Sequence, residues 1–375
     1  MSKRYSIFLT ALFCLFLFGF GALHLALPDR TFSEQENRNL AQFKAPTAKT
    51  LQSGKFMEDF QDYVTDQFPL RDSFVALKAL TERGLGKREN NGVYLSRDGQ
   101  TLFAQFTAPS KDDLAQRVGY VNKLADNLSV PVYFSLIPDK SRLWADRLPA
   151  NAPRVDDGST IAAAEPLCSD QVCWIDLSGA LHGDDIFYRT DHHWTTMGAY
   201  QGYLGLSSGM GGSGAVFDYP YVLRSDSFYG TTWSSSGASW VKPDELYSVI
   251  PEGGEYGRIT VTSYRDGAPE AGSLYDESFL EKKDKYSFFL GGNQPLCVIS
   301  NPDAKGGKLL VVRDSYSDAL APFLALEFQE VHLFDLRYNR TSLKQYVEEN
   351  GIGQVLVLYS LANFTTDGNL FLLGR

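Results

Sequence analysis

"KLLVVRDSYSDALAPFLALEFQEVHLFDL", residues 308–336, is the stretch on which the reading of the fold turns. Leu309 to Val312 form an unbroken apolar run that stops at Arg313-Asp314-Ser315; residues 318–328 then carry a helical pattern, and 330–336 return to a strand. Short apolar strands without polar alternation are buried on both faces. A helix between two of them is the signature of a parallel sheet covered by helices. The pattern continues with "SLKQYVEEN" (342–350), a helix stopped by Gly351, and "QVLVLYS" (354–360), another strand. The spacing therefore predicts an α/β domain with a parallel sheet.

Upstream, Ser110 followed by Asp113 resembles a capping box, and Leu114, Val118, Val121, Leu124 and Leu128 continue at helical spacing. "VPVYFSLIP" (130–138) follows as a buried strand, and "NNGVYLSRDGQTLF" (90–103) reads as a hairpin about Asp98-Gly99. Between these blocks, residues of about 207–290 are rich in Gly, Ser and Tyr. This stretch reads as an insertion, with a hairpin predicted over "LYSVIPEGGEYGRITVTSY" (246–264).

The N-terminus carries "IFLTALFCLFLFGFGALHLAL", residues 7–27, with Lys3 and Arg4 before it and Pro28-Asp29 after it. Its length suits a helix crossing a hydrocarbon core of about 30 Å, and the basic flank places the N-terminus inside. A cleaved signal peptide is the alternative; the apolar run is longer than that reading needs, and its C-terminal end offers no clean small-x-small site. The expected organisation is an anchor (1–27), a juxtamembrane linker and helical segment (28–90) and an α/β domain (91–375). In the second part, Phe56, Phe60, Val64 and Phe68 mark one helix ended by Pro69, and Phe74, Leu77 and Leu80 mark another. Cys168 and Cys173 bracket a short loop that an oxidising compartment would close into a disulfide.

With 35 basic and 45 acidic residues the net charge is −10, and no Lys/Arg cluster interrupts it. That excludes the electrostatic footprint of a nucleic-acid binder. Chemistry points to two places. Ser315 stands where a parallel strand ends and a helix begins, the position at which open α/β sheets gather reactive groups and helix amides face an oxyanion. In "YRTDHHWTTMGAY" (188–200), Asp191 and His193 project to one side of an extended segment while His192 faces away. A histidine oriented by a carboxylate is what an inert serine hydroxyl needs as base. Thr195 or Thr196 would cap the helix that follows, and Trp194 would supply packing or a wall for a sugar ring. A metal bound by Asp191-His192-His193 is the rival chemistry. Adjacent histidines diverge along an extended chain, which argues against it, and no cofactor motif is present.

"FYRTDHHWTTMGAY" resembles the signature of bacterial DHHW proteins, which look like the SGNH-hydrolase-like proteins of alginate and other exopolysaccharide O-acetylation. "RTFSEQENRNL", "FPLRD", "NGVYL", "LIPDKSRLWADRLP", "FFLGGN" and "LLVVRDSYSDALAPFLALEFQEVHLFDLRYN" extend the resemblance over most of the chain. It implies an SGNH-like three-layer α/β/α sandwich with Ser315, His193 and Asp191 as a catalytic triad. Arg313 replaces the glycine of the superfamily's Gly-Asp-Ser and becomes a candidate substrate contact. Gly292 and Asn293 in "FFLGGN" are candidate oxyanion donors. The resemblance further implies a cell-surface polysaccharide substrate, no bound cofactor and a membrane acyltransferase partner that supplies acetyl groups to an extracytoplasmic domain. A non-catalytic glycan-binding or scaffolding protein is the alternative, with Tyr229, Trp233 and Trp240 available to stack on sugars.

Overall fold

The structure is a computed structural model that describes residues 3–152, 157–212, 220–249 and 257–375. It divides into two compact units, residues 1–90 with 234–240 and residues 91–233 with 241–375.

The first unit is helical. Helix α1 (Lys3–Ala26) buries none of its residues and is the one helix among those described that is long and apolar enough to cross a membrane. Helices α2 (Lys55–Asp66) and α3 (Arg71–Gly84) follow the two aromatic stripes in the sequence. Between them Leu70 takes a left-handed conformation (φ 60°), and Pro69 cannot continue α2.

The second unit is built on one eight-stranded sheet. Helix α4 (Lys111–Asn127) is capped by Ser110, whose hydroxyl accepts from Asp113 N. Strands β1 (Val132–Ile137) and β2 (Val172–Trp174) come next, followed by helix α5 (Thr196–Gly209). Strands β3 (Thr260–Ser263), β4 (Glu270–Gly272), β5 (Leu296–Ser300) and β6 (Gly306–Arg313) lead into helix α6 (Tyr316–Glu327). Strand β7 (Phe328–Phe334), helix α7 (Leu343–Asn350), strand β8 (Gln354–Ser360) and helix α8 (Leu361–Thr366) complete the unit. The strand order is β4-β3-β5-β7-β6-β8-β1-β2. The five strands from β7 to β2 are parallel, and β5, β3 and β4 extend them antiparallel.

Strand β6 explains the layering. Successive side chains point to opposite faces, so Leu309 and Val311 join a core with Ala319, Leu320 and Phe323 of α6, while Leu310 and Val312 join one with Leu114 and Val118 of α4, Val347 of α7 and Phe364 of α8. The result is a mixed α/β fold with helices on both faces of a mostly parallel sheet.

Three local expectations are corrected. The hairpin over 246–264 does not form: Asp244–Val249 pairs with Tyr221–Phe228, and β3 pairs with β5 and β4 inside the main sheet. Local turn spacing proposed a pairing that longer-range partners won, and residues 250–256 lie outside the described residues. Part of the stretch read as an insertion therefore completes the sheet. Cys168 and Cys173 are both free. Cys168 packs on the α4 side, with Sγ against Ala164 O, whereas Cys173 pairs in register with Tyr133, which packs on the other face. The turn between Cys168 and β2 thus leaves the two thiols on opposite sides of the sheet.

Candidate active site

Ser315 lies two residues past the end of β6, immediately before the first residue of α6. Asp314 fixes this turn: its Oδ2 accepts from Ser360 N, Ser360 Oγ and Asn363 Nδ2, each at 2.8 Å, and its Oδ1 accepts from Tyr316 N at 3.0 Å. The end of β6 is thus tied to the start of α8. The amides of Ser317 and Asp318 donate to Asp314 O and Ser315 O. Residues 316–318 therefore have no amide to offer an oxyanion, contrary to the expectation for this helix start.

The segment 188–195 reaches the same place from the other side. Tyr188 N donates to His193 O and Thr195 N to Ile186 O, closing a narrow loop before α5, and Thr195 caps that helix by accepting from Gly198 N. Buried Lys140 fills the loop, its ammonium donating to Tyr188 O (2.9 Å) and Asp191 O (2.6 Å). Burial lowers its pKa to about 8, against the pull of Asp139, Asp244 and Asp191. Asp244 braces the outside, its carboxylate accepting from the backbone amides of Arg189 (3.0 Å) and Thr190 (2.7 Å).

The two segments meet through side chains 122 residues apart. His193 Nε2 lies 2.7 Å from Ser315 Oγ, and His193 Nδ1 lies 2.5 Å from Asp191 Oδ1. A carboxylate accepts only, so Nδ1 carries the proton and Nε2 is the acceptor that faces the serine hydroxyl. Asp191 Oδ1 also accepts from His193 N, and its Oδ2 accepts from Thr231 N (2.6 Å) and Thr231 Oγ1 (3.0 Å). Burial alone would raise this carboxyl, but the neighbouring His192 and His193 and the hydrogen bonds from His193 hold it well below the usual carboxylate range. Gly230 makes the approach possible: a Cβ there would sit 2.2 Å from Asp191.

Tyr286 covers the imidazole. Its ring stacks on His193 at 3.7 Å with the planes 9° apart, and its hydroxyl donates to Ser315 O at 3.1 Å. Burial pushes that hydroxyl well above its ordinary pKa, so it remains a donor. Trp194 is fully buried and donates from Nε1 to Tyr316 O (2.9 Å). It is a packing residue and not a sugar wall; a Cβ at Gly202 would come within 2.7 Å of its ring.

Arg313, Gly292 and Asn293 fall outside the reacting centre. Arg313 is completely buried on the α6 face of the sheet, 2.8 Å from the Asp318 carboxylate, and no substrate reaches it. Burial raises Asp318 to about 6 despite that partner. Gly292 spends its amide within the turn, on Phe289 O, and takes a φ of 85°. Asn293 is exposed, with Oδ1 accepting from Arg337 (3.1 Å). Among the described residues neither hydrogen-bonds Ser315, and "GGN" is an ordinary turn.

His192 does not turn away as an ideal strand would require. Its ring lies 3.9 Å from that of His193, and Nδ1 donates to Thr231 Oγ1 at 2.8 Å. Asp191, His192 and His193 present ligand atoms within 4.8 Å of one another. The Asp191 oxygens and both nitrogens of His193 are already engaged, so a metal would have to break the arrangement just described. Lys140, Gly230, Thr231 and Tyr286 were not singled out in the sequence, because their roles depend on neighbours about 30 to 95 positions away.

The comparisons with known proteins cover the segments that carry these residues. Residues 170–334 match the family model described as "DHHW protein", and residues 100–211 match the "SGNH hydrolase-like domain, acetyltransferase AlgX". A DHHW family protein from Eubacterium siraeum shares the fold at a TM-score of 0.64, with 23% identity over 76% of this chain and 95% of that one. Bacillus cereus PatB1, solved with a sulfonyl adduct, does so at 0.62, with 22% identity over 76% and 98%. A probable alginate O-acetylase AlgJ from Pseudomonas syringae pv. tomato is 24% identical over 176 residues, 43% of this chain and 44% of that protein, so the chain spans less than half the length of this relative. Over residues 170–334 the chain is thus similar to DHHW proteins, and over residues 100–211 to AlgX-like SGNH hydrolase-like domains.

Proposed function

We propose that this chain is a membrane-anchored, extracytoplasmic serine O-acyltransferase or esterase that moves acetyl groups onto or off a cell-surface polysaccharide. The observation that carries the reading is the continuous line from Asp191 through the His193 ring to Ser315 Oγ, at 2.5 and 2.7 Å. The likeness to a probable alginate O-acetylase supports polysaccharide as the acceptor. The half-buried Tyr229–Trp233 pair, 4.5 Å apart beside Thr231, offers a face for a sugar ring.

In this mechanism His193 Nε2 takes the serine proton as Oγ bonds to the acyl carbon of an activated acetyl donor. The tetrahedral intermediate collapses, the donor's leaving group departs with the proton from His193, and the acetyl group remains on Ser315. A sugar hydroxyl then attacks the acyl carbon while giving its proton to His193. The Ser315 Oγ–carbon bond breaks, and the hydroxyl is regenerated with that proton. Asp191 holds the tautomer and the developing imidazolium. Acetyl donors made in the cytoplasm must be handed across the membrane, which calls for an integral membrane acyltransferase as partner. Helix α1 would then be the anchor, with Lys3 and Arg4 inside.

The test is hydrolysis of p-nitrophenyl acetate by the full chain in detergent, with mass spectrometry of the quenched enzyme. The expected result is an acetyl adduct on Ser315 and loss of turnover in Ser315→Ala. Equal turnover by the two proteins removes the serine mechanism. A fold-retaining protein that binds polysaccharide with neither turnover nor adduct would be the scaffolding alternative.

A further inference from the structure

The helical unit carries an apolar face that the proposed catalysis leaves unused. Within α1, Phe20 stacks on Phe68 (5.3 Å, 6° between planes) and meets Phe74 edge-on (5.7 Å). One turn later His24 Nδ1 donates to Gln67 O at 3.2 Å, and its ring faces Tyr63 at 5.7 Å. Just beyond the helix, Arg30 pairs with Asp72 at 2.8 Å, and the Gln67 side chain exchanges two hydrogen bonds with the Arg30 backbone. The α2–α3 turn is thus fastened alongside the last third of α1.

Depth follows from this contact. Phe20 lies seven residues before the apolar run ends at Leu27, about 10 Å along the axis at 1.5 Å per residue. With α1 in a bilayer, Phe68 and Phe74 stand at the depth of Phe20, below the headgroups. From there the exposed side chains of α3 are apolar in a way water does not favour: Leu70 is 63% exposed, Leu77 58%, Leu80 54% and, just past the helix, Leu85 83%. Leu70, Phe74 and Leu77 follow at i, i+4 and i+7, one stripe flanked by Leu80 on one side; Lys78 borders it on the other, and Arg71 and Arg83 lie further round the helix. A leucine and phenylalanine stripe with basic residues beside it is the composition of a helix lying in a membrane interface.

We propose that the α2–α3 turn and the apolar stripe of α3 are embedded in the extracytoplasmic leaflet, so that the chain holds its membrane by an interfacial helix as well as by α1. The bare face is continuous, through Phe68 and Phe74, with the apolar surface of α1, and this continuity identifies lipid as its occupant. The inference rests on α1 being an anchor, and its test separates the two.

The full-length chain is reconstituted into phosphatidylcholine–phosphatidylglycerol vesicles containing a phospholipid with a photoreactive diazirine in mid-chain, irradiated, and mapped by mass spectrometry. Lipid adducts are expected on residues 68–85 as well as within 7–27. In the Leu77→Glu/Leu80→Glu variant the adducts on 68–85 are lost while those on α1 persist. Adducts confined to α1, or a stripe that cross-links only to protein, overturn the interfacial helix and leave the anchor standing. Adducts on neither segment overturn both.

Discussion

Asp191 shows how much a single side chain determines here. It accepts four hydrogen bonds, and one of them selects the tautomer that lets His193 act as a base. Asp191→Asn keeps the size but offers a donor where Nδ1–H needs an acceptor, so turnover of p-nitrophenyl acetate is expected to fall by a factor on the order of 10⁴ with the thermal melt little changed. Gly230→Ala should reproduce part of that loss from outside the triad, because its methyl group would displace the carboxylate. Arg313 and Asp318 make a different point. They form a buried pair with Arg313 Nε and Nη2 lacking partners, so Asp318→Ala leaves a guanidinium alone in the core. Chemical denaturation should register a loss of about 3–5 kcal/mol, whereas Arg313→Met with Asp318→Leu should come close to the parent. In the sequence, "DHHW" and "RDS" marked the three residues proposed as the triad, but the same reading took Arg313 for a substrate contact. A charged side chain at a strand end is usually solvated, and only the packing of α6 over that face buries it.

At the scale of elements, a loop, a strand end and two helix starts are cross-braced. Trp194 Nε1 reaches Tyr316 O, Asp314 reaches α8, and the Lys140 ammonium gathers the carbonyls of the histidine loop. Lys140 gives this arrangement a pH dependence. Its proton leaves near pH 8 instead of about 10.4, and the neutral amine turns a lone pair towards carbonyl oxygens. Activity should therefore fall as pH rises through about 8. The unfolded chain keeps its proton up to about 10.4, so over that interval this group favours the fold more as pH rises, and the cost of its buried charge returns as pH falls through about 8. A kcat/KM profile with an alkaline limb near 8, beside a melting temperature that does not drop in step, is the expected outcome. A limb unchanged in Lys140→Met would assign it elsewhere. The helices and strands at 111–137 and 306–360 were legible because their apolar periods are strong. The 246–264 hairpin was not, because its halves are claimed by different strands.

For the whole molecule, anchoring is the property to measure. Helix α1 buries none of its residues and meets the rest of its unit through Phe20 and His24 near its end, which leaves most of its apolar surface bare. The full-length chain should stay in the membrane pellet through an alkaline carbonate wash and leave it only with detergent, since burying a leucine-sized side chain is worth roughly 1.5–3 kcal/mol and α1 carries many. Release by carbonate would mean that the segment had been removed as a signal peptide.

By itself the sequence determined the class of the fold, the apolar N-terminal helix and the three residue types a hydrolase-like site needs, because those follow from local period, length and motif. Only the tertiary structure decided that His193 and Ser315 meet, that Cys168 and Cys173 face opposite ways, that Arg313 is sealed in the core and that Lys140, Thr231 and Tyr286 complete the site. Each of these depends on which strand lies beside which. That choice is made by burying both faces of one sheet at once, and no window of neighbouring residues contains it.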